Sequence, residues 1–131
     1  MASAQIEIFS APLSGAAEVP SNSSPGTGNA RITVDLGLNT MRVESVFSGL
    51  EGTTTAAHIH VRVLSTDLTG GVATPTPSFP SFPHGVTSGS YDSTLDLLST
   101  SSYRAGFISA NGGTAESARD ALVAALRDGR A

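Results

Sequence analysis

The sequence contains neither cysteine nor lysine, and each absence excludes a class of chemistry. Without cysteine the chain cannot form disulfides, thiolate metal sites or a cysteine nucleophile. Without lysine it cannot form a Schiff base or supply the lysine of a phosphate-binding P-loop. The nucleophile motif G-x-S-x-G is also missing, so a serine hydrolase of the α/β type is not expected.

Charge and long apolar runs are also scarce. Charged residues make up 14% of the 131 residues, and the net charge is -4. Nucleic-acid binding normally uses a basic surface, so no nucleic-acid partner is expected. No apolar run approaches the roughly 20 residues of a membrane helix, so no membrane span is predicted. The opening MASAQIEIFS lacks a basic n-region, which is typical of a cytosolic start or of a mature domain after signal removal.

Most of the chain is predicted to form β-strands, because apolar and polar residues alternate along it. The predicted strands are residues 4–11, 29–36, 41–47, 55–63, 71–74 and 86–97. The first has Ile6 and Ile8 on one face and Glu7 on the other, which is typical of a half-buried strand. The proline-rich run PTPSFPSFPHG is predicted to be an ordered loop, since proline lacks the N–H that a central strand donates.

The last quarter of the chain has a helical period. Residues 114–128 are predicted to form a helix with Thr114 as its N-cap and Gly129 just past its end. Period-two segments followed by one helix predict the fold class. We expect a single domain over residues 1–131, an all-β, mainly antiparallel, Greek-key-like β-sandwich with one C-terminal α-helix.

The predicted strand 55–63 carries His58 and His60 two residues apart and therefore on one face. Alternate strand residues lie about 6.5–7 Å apart, so two imidazoles can converge on one zinc or copper ion. His84 is the histidine candidate for a third ligand. The carboxylate candidates are Asp67, Asp92 and Asp96. Two other interpretations stay open, a hydrogen-bonded structural pair and surface imidazoles without a role.

Several segments in order resemble the CHRD (chordin-type) domain family. The segments are LSGAAEVP at 13–20, SPGTGNARITVDL at 24–36, FSGLEGTTTAAHIH at 47–60, GVTSGSYDSTLDL at 85–97 and FISANGGTAESARDALVAALRDGRA at 107–131. The resemblance implies a β-sandwich of extracytoplasmic type, secreted or periplasmic. The family's histidine motif maps onto His58 and His60, which implies binding of copper or zinc.

The sequence departs from this family in two places. Bacterial relatives often carry cysteines just after the second histidine, where this chain has Val61 and Arg62. Relatives also continue past the helix into a strand with a further histidine, whereas this sequence stops at Ala131. A missing last strand would leave an edge or slot that a second copy could fill, so a homo-oligomer, a dimer above all, is expected.

These features favour an exported binding or structural module over an enzyme, because no complete catalytic constellation is visible. One alternative is a copper-dependent redox enzyme with chemistry like that of superoxide dismutase, by analogy alone. The other is a protein-interaction domain that binds no metal and recognises an extracellular protein partner.

Overall fold

The structure is a computed structural model that describes residues 5–131, so Ala4 of the predicted first strand lies outside the described residues. The strands of this part of the chain are β1 (Ile6–Ser14), β2 (Thr27–Asp35), β3 (Thr40–Ser48), β4 (His60–Val61), β5 (Gly71–Val72) and β6 (Gly89–Asp96). Its helices are α1 (Ala105–Ala110) and α2 (Ala115–Arg127), and two short 3-10 turns cover Gly15–Ala17 and Thr100–Ser102.

The strands form a four-stranded sheet in the order β1-β2-β3-β6 and a two-stranded sheet of β4 and β5. The neighbours β1 and β2, β2 and β3, and β4 and β5 are all antiparallel. The expected fold class, mainly antiparallel β-structure with one long C-terminal helix, is therefore confirmed. Within the described residues, no helix is long and apolar enough to cross a membrane.

The chain divides into two compact units. The first comprises the residues up to 55 together with 82–95, and it contains β1, β2, β3 and nearly all of β6. The second comprises residues 56–81 and 96–131, and it contains the two-stranded sheet and both helices. The expectation of one domain over residues 1–131 stays a prediction.

In the first unit, alternate residues of the sheet are buried. Ile32 and Val34 of β2 are buried, and the register sets Ile32 beside Phe9 of β1. Ile6 and Ile8 share a face, as predicted, but that face is the exposed one, with 52% and 54% of each residue accessible. It is the other face of β1, with Phe9, that lines up with the buried residues of β2.

In the second unit, the helix α2 confirms the prediction for residues 114–128. The Thr114 hydroxyl accepts the Ser117 N–H (3.1 Å), and the Ser117 hydroxyl accepts the Thr114 N–H in return (3.1 Å). At the other end Gly129 has φ +70°, and the Arg130 N–H reaches back to the Ala125 carbonyl (2.8 Å). This is the six-to-one bond of a Schellman cap, and the capping residues that the sequence predicted are in place.

The predicted strand 55–63 is shorter than expected. Only His60–Val61 pairs as β4, and the predicted strand 71–74 is reduced in the same way to Gly71–Val72. The facing segment contains Pro75 and Pro77, which have no N–H to donate, so a regular ladder cannot continue along it. The remaining predicted strands lie within about three residues of the observed ones.

Candidate functional site

The two candidate ligands lie on an extended segment, residues 57–62, whose backbone is tied to the proline-rich segment after β5. The Ile59 N–H donates to the Thr74 hydroxyl (2.8 Å), and its carbonyl accepts a backbone N–H (2.9 Å). The Ala57 N–H donates in the same way to the Ser78 hydroxyl (2.9 Å). Since Thr74 and Ser78 are both buried, these bonds fix the backbone on either side of the first histidine.

The far end of the segment is held by the chain that follows α2. The Arg62 N–H donates to the Arg130 carbonyl (2.8 Å), and the Arg130 guanidinium donates back to the Arg62 carbonyl (2.9 Å). The Arg62 guanidinium in turn donates to the carbonyls of Gly129 and Asp67. The histidine segment is therefore anchored at both ends, which limits the motion of the two imidazoles between them.

His58 and His60 are brought together by this segment. Their ring centroids lie 4.9 Å apart, and the planes are inclined at 75°, so one ring meets the other edge to face. His58 is half-buried, whereas His60 is exposed. The expectation that both side chains project from the same side of the segment is met by this contact.

His60 has a defined tautomer. Its Nδ1 lies 2.7 Å from the Gly70 carbonyl oxygen. A carbonyl only accepts hydrogen bonds, so Nδ1 must carry the proton and donate it. In the neutral ring the lone pair then resides on Nε2. Metal-bound histidines commonly donate their second N–H to a carbonyl in this way, which fixes the ring for the metal.

The surroundings of His58 favour its neutral form. Partial burial lowers its pKa below the ordinary value, and the neighbouring His60 ring lowers it further. No described residue forms a hydrogen bond with the His58 ring. The ring nitrogens are not buried, so they remain open to solvent. A neutral imidazole with a free lone pair is the form that a metal ion requires.

His84 belongs to the first compact unit, whereas the histidine pair belongs to the second. It is exposed, and its ring lies 6.4 Å from that of Phe82, which itself contacts Phe47 and Tyr91. Among residues 5–131, no group of three or more histidine or carboxylate side chains is arranged to hold a metal ion. The pair is the part of the predicted ligand set that the structure brings together, and the role of His84 stays a prediction.

The three carboxylate candidates all have structural partners. Asp92 accepts two hydrogen bonds from the Arg42 guanidinium (2.9 and 2.7 Å), and this cation lowers the pKa of the carboxyl group. Asp67 and Asp96 each accept a nearby backbone N–H, at 2.8 and 2.9 Å. Each carboxylate thus stabilises a local turn or a cross-strand contact.

A cavity of about 430 Å³ lies beside β4 in the second unit. Its wall includes Val61, Phe107 and Arg104, but neither histidine of the pair. The exposed His60 ring therefore does not face this cavity. An ion bound by the histidine pair would keep contact with solvent. Such an arrangement suits a binding site whose remaining ligands are water.

The residues that support the pair were missed by sequence reasoning. Thr74, Ser78 and Gly70 contact the histidine segment through hydroxyl or carbonyl oxygens. Gly70 also has a steric role, because a methyl group there would overlap the Val61 carbonyl. One local feature of the sequence points to the hydroxyls of Thr74 and Ser78, namely their position beside Pro75 and Pro77. Where prolines interrupt the backbone ladder, a side-chain oxygen can accept the N–H of the facing segment.

Comparison with known proteins gives one result. The family model of the CHRD domain matches residues 9–131. A search of curated proteins and a search of solved structures each found no match.

Proposed function

Because the chain belongs to the CHRD domain family, a β-sandwich type of binding or structural module, we propose that it is an exported module that binds a copper or zinc ion through His58 and His60. The observation that carries this proposal is the bond from His60 Nδ1 to the Gly70 carbonyl (2.7 Å). It orients Nε2 and its lone pair before any ion arrives, so little rotational freedom is lost on binding.

The donor set favours copper over zinc. Structural zinc takes four protein ligands, and catalytic zinc takes three plus water. Copper(II) accepts tetragonal nitrogen and oxygen ligation, which two imidazoles and bound water can supply, and it binds more tightly than zinc to a given site. We therefore expect both ions to bind, with copper the tighter.

The test is a calorimetric titration of copper and zinc into the wild-type protein and into His58→Ala, His60→Ala and His84→Ala. Loss of a residue that merely supports a ligand commonly lowers metal affinity roughly 10–100-fold, so loss of a ligand should lower it at least as much. We expect this for the first two variants. His84→Ala is the matched variant, because it also removes one histidine, and its affinity decides whether His84 is a ligand.

A second readout separates coordination from a change in folding. Nitrogen-15 NMR of the imidazole rings should show a proton on Nδ1 of His60. Addition of zinc should then shift the Nε2 resonance.

Unchanged affinity in both His58→Ala and His60→Ala would end the metal proposal and favour a protein-interaction domain instead.

Export is tested independently of the metal. Cells that express the natural gene are fractionated, and the protein is located with an antibody. We expect it outside the cytoplasm, and its confinement to the cytoplasm would contradict this part of the proposal.

A further inference from the structure

One edge of the four-stranded sheet is open in the part of the chain that the structure describes. Over residues 5–131, β1 is the outermost strand and pairs only with β2 on its inner side. The Leu36 N–H donates to the Gln5 carbonyl (2.9 Å), and this pair continues the β1–β2 register. In an antiparallel pair, every second residue exchanges bonds with the partner strand. The residues between them, which are Ile6, Ile8, Ser10, Pro12 and Ser14, therefore direct their N–H and carbonyl groups outward.

This open edge has little protection against pairing. Natural edge strands are usually blunted by charged side chains, bulges or prolines. Here Ile6 and Ile8 are about half exposed, and Ser10 is exposed as well. Pro12 occupies an outward position, where its missing N–H disturbs no bond to β2. The unprotected stretch thus runs from Ile6 to Ser10 and ends at Pro12.

We propose that two copies of the chain associate by antiparallel pairing of these edges about a two-fold axis at Ile8. In this register Ile8 pairs with Ile8 of the second copy, and Ile6 pairs with Ser10. Each of the three residues donates its N–H and accepts with its carbonyl, so no outward group between Ile6 and Ser10 stays unpaired. The interface is self-complementary, as a two-fold axis requires.

The side chains that flank the edge agree with a second copy as the occupant. The register within one chain sets Ile6 beside Asp35, Ser10 beside Arg31 and Ile8 beside Thr33. Pairing of Ile6 with Ser10 of the second copy then forms a row of side chains at each end of the paired stretch. Each of these outer rows runs from Asp35 of one copy, through Ile6 and Ser10, to Arg31 of the other copy. The central row holds apolar isoleucines and uncharged threonines. No like charges face each other, so edge pairing carries no electrostatic penalty of the kind that like charges cause.

A cysteine cross-link tests the register directly. The protein has no cysteine, so Ile8→Cys introduces a single thiol. Paired residues of this kind have Cα atoms about 5.5 Å apart, within reach of a short bismaleimide. Val46→Cys is the matched control, because Val46 is an exposed apolar residue of the interior strand β3. We expect a cross-linked dimer from the first variant alone. Equal yields from both variants, or none from either, would overturn the proposal.

The mass in solution is the second measurement. Light scattering on the metal-free wild-type protein at about 100 µM should give twice the chain mass of 13.2 kDa. Ile8→Lys should give the monomer, since a charged side chain blocks edge pairing. Val46→Lys should remain dimeric, and circular dichroism checks that both variants are folded. A monomeric wild-type protein, or a dimeric Ile8→Lys, contradicts the proposal. A chelator is present throughout, so the outcome is independent of metal binding.

Discussion

Replacing Thr74 by valine tests the support of the histidine segment. Thr74 is fully buried, and its hydroxyl accepts the Ile59 N–H at 2.8 Å. Valine has nearly the same shape, so the substitution removes the acceptor and little else. A part-buried N–H left without a partner costs about 1–3 kcal/mol. For a chain of this length that corresponds to a fall in Tm of roughly 4–12 °C, measured by circular dichroism.

If copper binds through His58 and His60 as proposed, the same variant should also bind it more weakly, because Ile59 lies between these two residues. Thr94→Val is the matched control, since Thr94 is an exposed residue of β6. A surface substitution of this kind should change the free energy of unfolding by no more than about 0.5 kcal/mol. If Thr74→Val unfolds at the wild-type temperature, the hydroxyl does not hold the segment, and its role in supporting the histidine pair is refuted.

Two further predictions concern pH and the helix cap. Because burial and the His60 ring lower the pKa of His58, the unfolded chain binds more protons than the folded one at acidic pH. The free energy of unfolding should therefore fall as pH drops through about 6.5, the unfolded value, and level off below the folded pKa. Urea unfolding between pH 7 and pH 5 should show a smaller fall for His58→Gln, and equal falls would contradict the assignment. Gly129→Ala should destabilise the protein by about 1–2 kcal/mol, because φ at Gly129 is +70°. Gly52→Ala, a position with open space around it, should have almost no effect, and equal losses in a thermal melt would refute the cap.

Local chemistry made the helix α2 predictable from the sequence. Thr114 and Gly129 act on backbone groups within a few residues of themselves, so their roles follow from sequence position alone. The shared face of His58 and His60 follows equally from the period of an extended chain. In each of these cases the residues that determine the structure are neighbours in the sequence.

The features that local sequence patterns did not determine depend on distant residues. Alternation shows that Ile6 and Ile8 share a face, but the register with β2 decides which face is buried. The length of the histidine strand depends on which segment lies opposite, and that segment contains prolines. Whether His84 joins the pair depends on tertiary arrangement, which no local pattern encodes.

The reciprocal bonds between Arg62 and Arg130 have a consequence for the order of events during synthesis. The strands β1, β2 and β3 are consecutive in the sequence and can pair soon after they are made. The far end of the histidine segment, at Arg62, instead waits for a partner 68 residues further on. At a translation rate of roughly 5–20 residues per second, that interval lasts several seconds. This end of the segment is thus anchored only after residue 130 has left the ribosome, when the strands encoded before it have had time to fold.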